Sequence, residues 1–115
     1  MSVPAPVHLS DFELYVMLAT DALGDDAYGV TITERISDRI GRDVSVGAVY
    51  ATLGRLEHKG LIAFSYSDPA PVRGGRARKL VSLTPAGARA LRHTAESLSR
   101  MLEGTQLRLN WGNRR

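Results

Sequence analysis

The stretch Ser45-Val46-Gly47-Ala48-Val49-Tyr50-Ala51-Thr52-Leu53-Gly54-Arg55-Leu56-Glu57-His58-Lys59-Gly60 constrains this chain more than any other. Ser45 suits an N-cap, where a hydroxyl accepts from an otherwise unpaired amide of the first turn. Gly60 suits the left-handed residue that ends a helix, and Lys59 before it suits the negative end of the helix dipole. Val49, Leu53 and Leu56 recur at helical spacing as one apolar stripe, with Thr52 beside it. The opposite face carries Gly47, Ala51, Gly54, Arg55 and His58, flanked by Ala48 and Tyr50. A solvated helix face is ordinarily filled with Glu, Lys and Gln. Here stand two glycines, each costing about 0.5–1 kcal/mol in a helix interior relative to alanine. Two explanations compete. Either the bare face packs against a neighbouring helix of the same core, or it enters the major groove of DNA, which is wide enough to admit a helix. In the second case Ser45, Gly47, Ala48 and Ala51 stand where bases are read, while Tyr50 and Arg55 reach phosphates.

With 115 residues the chain makes one small domain, whose modest interior would gain from a subunit interface. The formal charge of +3 is a weak pointer to nucleic acid unless the cations cluster. There is no cysteine, hence no disulfide framework and no thiolate metal site. Residues 1–6 lack the basic and apolar runs of a secretory signal, and Leu14 to Ala19 is far too short an apolar run to span a membrane. A soluble, cytoplasmic protein is the expectation.

Residues 1–8, with two prolines, read as a loose arm. Ser10-Asp11-Phe12-Glu13 has the spacing of a capping box, and Leu9 and Leu14 that of a hydrophobic staple. The first helix then runs to about Leu23, with apolar residues almost all the way round it. A second covered surface follows, supplied by another subunit or by the wrapping of the chain itself. Gly24-Asp25-Asp26 is a turn ending in an acidic cap, and no histidine or further carboxylate lies at ligand spacing to make a metal or acid–base site of it. The second helix is expected over about Ala27 to Ile40, with Ile32, Ile36 and Ile40 as its stripe, Gly29 one turn earlier, and Gly41 as its stop. Two helices joined by the short Arg42-Asp43-Val44 link, the second with the bare face, make a helix-turn-helix.

After Gly60 the period changes to two. Ile62, Phe64 and Tyr66 alternate with small residues, and Lys79 to Leu83 is a second strand. The connection between them carries Arg73, Arg76, Arg78 and Lys79 with no acid from Val72 onward, the local cationic cluster that net charge alone does not establish. It reads as a hairpin tip that grips phosphates or enters the minor groove, or else as a solvated basic loop. Thr84-Pro85 opens the last helix as N-cap and first residue. Its stripe runs through Ala90, Leu91, Thr94, Leu98, Met101 and Leu102 toward Gly104, where the helix either stops or continues to Leu107, Leu109 and Trp111. Little of the chain is left to cover that stripe, so a second copy is the simplest cover.

Taken together, Tyr28-Gly29 with Ile32, Val49-Tyr50-x-x-Leu53-x-x-Leu56-Glu57-x-x-Gly60-Leu61-Ile62, Gly74-Gly75-Arg76-Ala77-Arg78-Lys79 and Leu83-Thr84-x-x-Gly87 resemble the PadR family of bacterial transcriptional regulators over about Leu9 to Leu102. The resemblance implies a mainly α fold with a small β-hairpin: a winged helix-turn-helix over residues 1–84 and a C-terminal dimerisation helix with its tail over residues 85–115. It also implies a homodimer formed through the first and last helices, an inverted-repeat operator in double-stranded DNA, repression, and in several members a small-molecule effector. Tyr50 matches the family's recognition-helix tyrosine, and Arg73, Arg76, Arg78 and Lys79 match its basic wing. Val81 and Ser82 stand where the family often has an aromatic, and the short C-terminal segment fits the branch with a single last helix. The expected interface residues are Phe12, Tyr15, Val16, Leu91, Leu98, Met101 and Leu102. No cofactor, metal or catalytic residue is expected, since His8, His58 and His93 are scattered and no nucleophile elbow or phosphate loop is present. The rival from another class is a winged-helix module whose wing contacts an acidic protein partner.

Overall fold

The structure is a computed structural model that describes residues 7–67, 78–107 and 109. Within them the order is α1 (Asp11–Leu23), a 3-10 turn (Gly24–Asp26), α2 (Gly29–Ile40), α3 (Val46–His58), β1 (Ile62–Tyr66), β2 (Lys79–Leu83) and α4 (Pro85–Leu102). The two strands pair antiparallel from Ile62↔Leu83 to Tyr66↔Lys79. Beyond Tyr66, Ser67 and Arg78 continue the closure through a backbone bond of 2.9 Å and a bond of 2.8 Å from the Arg78 amide to the Ser67 hydroxyl.

The caps form where the side chains allow them. The Ser10 amide donates to Glu13 Oε1 at 2.9 Å and the Glu13 amide to Ser10 Oγ at 3.4 Å, a reciprocal capping box. Ser45 Oγ accepts from the Ala48 amide at 3.0 Å, and Thr84 Oγ1 from the Gly87 amide at 3.0 Å. At the end of α3, Gly60 takes φ +76°, and Leu61 and Gly60 donate back to the Leu56 and Glu57 carbonyls at 2.9 Å each, so the helix closes in a Schellman motif. Gly41 ends α2 in the same left-handed region.

Two boundaries differ from the sequence expectation. The second helix begins at Gly29 rather than Ala27. Ala27 is fully buried and its carbonyl accepts from the Val81 amide at 2.9 Å, and Tyr28 bridges Leu80, so this pair lies along β2 as extended chain. The cap is not acidic either. Thr31 Oγ1 accepts from the Tyr28 amide at 3.0 Å and donates to the Asp26 carbonyl at 2.6 Å. At the other end α4 stops at Leu102, and Gly104, at φ +80°, lies past it in the left-handed region. Leu107 and Leu109 therefore lie outside the helix and are exposed, and Trp111 is outside the described residues.

α1 is the hub of the core, packing against α2, α3, β2 and α4. Of the two possible covers for its apolar surface, the chain itself supplies most: Leu14, Val16, Met17 and Ala19 all lie in one core with Ile32, Ile36, Val49, Leu53 and Leu56. Val16 and Leu91, expected at a subunit seam, are part of that core, Val16 completely and Leu91 with 8% of its surface exposed. They are covered within the chain because α1 is surrounded by α2, α3, β2 and α4. What stays open is narrower. Phe12 and Tyr15 are half-buried, Leu18 is exposed, and on α4 Leu98 and Met101 are exposed with Leu102 half-buried.

Candidate nucleic-acid interface

α3 buries Val49, Thr52, Leu53 and Leu56 and turns the rest outward. Val46, Gly47, Ala48, Tyr50, Ala51, Gly54, Arg55, Glu57 and His58 are all exposed. A methyl group built on Gly54 would meet nothing within 4 Å, and one on Gly47 only the Ser45 hydroxyl at 4.0 Å. Among the described residues, no helix packs on these glycines. Nor does backbone conformation ask for them, since neither has a positive φ. Among the described residues nothing offsets their helix-propensity cost.

The polar side chains of α3 are already oriented. Arg55 Nη2 donates to Thr52 Oγ1 at 3.0 Å, which holds the guanidinium against its own helix while it remains exposed. The Tyr50 ring lies across Gly29 at the start of α2. The end of α3 is tied down by Lys59, whose Nζ donates to the buried Glu13 Oε2 at 2.8 Å. Burial alone would push the Glu13 carboxyl up, but its bonds with Lys59 and Ser10 outweigh this and hold it below the ordinary carboxylate value.

At the base of the hairpin the two described cations lie over aromatic rings. The Arg78 guanidinium stands 5.0 Å from the Tyr28 centroid and the Lys79 ammonium 4.1 Å from that of Phe64. Both residues are exposed, so these contacts steady their stems without burying their charge. Arg73 and Arg76 lie outside the described residues. The structure thus gathers Tyr50 of α3, Gly29 at the start of α2, Tyr28 just before it and Arg78 of the hairpin at one edge of the molecule. The sequence marks Tyr50 and Arg78 as separate candidates and gives Gly29 only a place one turn before a core stripe. The dipeptide Tyr28-Gly29 is the signal it offers, but the partners of that pair lie 21 and more residues away.

Elsewhere α1 and α2 border an open groove of about 410 Å³, lined by Tyr15, Leu18, Ala22, Arg35, Arg39 and Ile40. Among the described residues, no group of His, Cys, Asp and Glu is placed to hold a metal ion, and no helix is long and apolar enough to cross a membrane.

A helix pair whose second member presents an open face, followed by an antiparallel hairpin and a helix capped onto it, defines the winged helix-turn-helix class of DNA-binding proteins. Residues 20–93 match the profile of the Transcriptional regulator PadR-like family, and the chain belongs to that family. It is 39% identical over 88 residues to the transcriptional regulator Rv3488 of Mycobacterium tuberculosis, a match covering 74% of this chain and 78% of that protein. Among solved structures, a PadR family transcription regulator from Clostridium difficile superimposes with a TM-score of 0.61 at 26% identity, over 76% of this chain and 88% of that one. The Bordetella bronchiseptica protein BpsR shares the fold, with a TM-score of 0.61 at 24% identity over 94% of this chain and 72% of its own. The family and the mycobacterial relative are transcriptional regulators, not enzymes.

Proposed function

We propose that this DNA-binding regulator is a repressor that acts as a homodimer on an inverted-repeat operator. The observation that carries the reading is the face of α3, where Gly47 and Gly54 are open to solvent with none of the described residues packed against them. Ser45, Gly47, Ala48 and Ala51 approach the base edges, and Tyr50 and Arg55 hold the phosphates on either side. The wing, through Arg73, Arg76, Arg78 and Lys79, adds sequence-independent grip. Supporting the dimer are the outward apolar residues of the two terminal helices, Phe12 and Tyr15 on α1 and Leu98, Met101 and Leu102 on α4. Two-fold symmetry then sets the two α3 helices about 34 Å apart, one turn of duplex. The groove beside Tyr15 suits a small effector, which would act by favouring one dimer geometry over another. Localisation with the genome, in the cytoplasm, follows from this role.

The test is selection of bound fragments from the source genome, followed by gel shifts at graded salt and sedimentation of the free protein. A selected motif with two-fold symmetry and a protein of twice the chain mass are the expected results. A stable monomer that shifts no duplex at low salt would overturn the reading and favour a protein-contacting wing.

A further inference from the structure

We propose that Gly29 is a positioning residue for DNA binding, and that its function is to leave the space in which Tyr50 is held. The inference rests on the reading of α3 as the DNA-facing helix. A Cβ added to Gly29 would overlap the Cζ, Oη and Cε2 atoms of Tyr50. Backbone conformation gives no reason for glycine at this point, because among the described residues the glycines with positive φ are Gly24, Gly41, Gly60 and Gly104. Gly29 is the first residue of α2 and is buried, so it also lacks the role of a solvent-exposed turn residue. Room for the phenol is the requirement that remains.

Tyr50 is not a core residue, since 44% of its surface is exposed. One side of the ring is seated on the α2 backbone and the rest faces outward. A tyrosine on an open helix face would otherwise sample several rotamers, and ordering it on the DNA would cost conformational entropy. Seated on Gly29, the hydroxyl is held in advance at the seam between α2 and α3. That is where the phosphate backbone passes a helix-turn-helix, because the first helix of the pair crosses the backbone while the second lies in the groove. Tyr28, next in the chain, is braced in turn by Arg78 at 5.0 Å, so the seat itself is buttressed from the hairpin. Gly29 touches no DNA in this scheme. It acts through Tyr50.

A double-mutant cycle on the full-length chain tests the assignment, with operator affinity and thermal unfolding measured for Gly29→Ala, Tyr50→Ala, Tyr50→Phe and the double variant Gly29→Ala/Tyr50→Ala. Tyr50→Phe keeps the seat and loses the hydroxyl, and should weaken binding about tenfold, the loss expected for one hydrogen bond to a charged group. Gly29→Ala should weaken binding at least as much. In the Tyr50→Ala background the same alanine should cost no further affinity, and the double variant should melt above Gly29→Ala, because the methyl group then fills the place of the ring. Should Gly29→Ala prove unfolded, the double variant and Tyr50→Ala still decide, since both lack the clash and should bind alike. Equal losses from Gly29→Ala in both backgrounds, or wild-type affinity in Gly29→Ala, would overturn the proposal while leaving DNA binding intact. Failure of the unmodified protein to bind any duplex would overturn both.

Discussion

Lys59 Nζ lies 2.8 Å from Glu13 Oε2, joining the C-cap of α3 to the first turn of α1 across 46 residues of sequence. Glu13 closes its own capping box with its other carboxylate oxygen, so one buried group anchors the start of α1 and the end of α3. Stability should therefore depend on pH through this carboxyl. Its folded-state pKa is depressed, so its contribution is present above the ordinary Glu value, near 4.3, and is lost as pH falls through the folded-state pKa. Urea unfolding at pH 7 and pH 3 should show the loss in the unmodified chain and a smaller one in Lys59→Met. The ammonium is half exposed, so the pair contributes about 1 kcal/mol rather than the larger value of a fully buried one. Identical pH dependence in the two proteins would remove the pair from the account.

Gly47→Ala and Gly54→Ala should separate folding from binding. Each new methyl group enters open space and raises helix propensity, so the uncomplexed protein should gain up to about 0.5–1 kcal/mol per site. Operator affinity should fall, because the same methyl group stands where the helix meets the duplex. Chemical denaturation and gel shifts on the same samples check this; tighter binding together with higher stability would assign the bare face elsewhere.

Gly87→Ala should do the reverse, harming the fold. A Cβ there would run into the Leu61 carbonyl oxygen, with the Leu61 carbon 2.9 Å away. The close approach exists because Thr84 Oγ1 donates to the Gly60 carbonyl at 2.7 Å and the Thr84 amide to that of Leu61 at 3.1 Å, clamping α4 onto the end of α3. Backbone yields less readily than a side chain, so a loss of about 1–3 kcal/mol is expected in thermal or urea unfolding.

Leu98→Glu with Met101→Lys should dissociate the proposed dimer without unfolding the chain. Met101 is 76% exposed and Leu98 48%, so neither substitution removes much core packing. Sedimentation should show half the mass and an unchanged melting profile at low concentration. A dimer that survives both substitutions would place the seam away from the end of α4.

Removing the charges of Arg73 and Arg76 should weaken binding on all duplexes alike. The slope of log affinity against log salt should flatten by about 0.9 for each phosphate that the wing no longer neutralises. An unchanged slope in the double variant would mean that these arginines grip no phosphate.

Local signals settle a good deal of this protein ahead of any tertiary contact. Ser10, Ser45 and Thr84 cap helices because a hydroxyl at that position satisfies an amide within three residues. Gly41 and Gly60 end them because glycine alone enters the left-handed region without penalty. The bare face of α3 is legible for the same reason, being a property of one helix and its period. What the amino-acid order leaves undecided concerns partners distant along the chain. Whether Val16 and Leu91 face a second copy or their own core depends on how the other elements close around α1. Ala27 and Tyr28 go to the edge of β2 rather than into α2 because a strand far along the chain offers their backbone a ladder. The seat of Tyr50 on Gly29 and the bond between Glu13 and Lys59 likewise exist only once helices meet. Periodicity and capping are short-range physics written residue by residue, whereas which surfaces touch is set by the packing of all the elements at once.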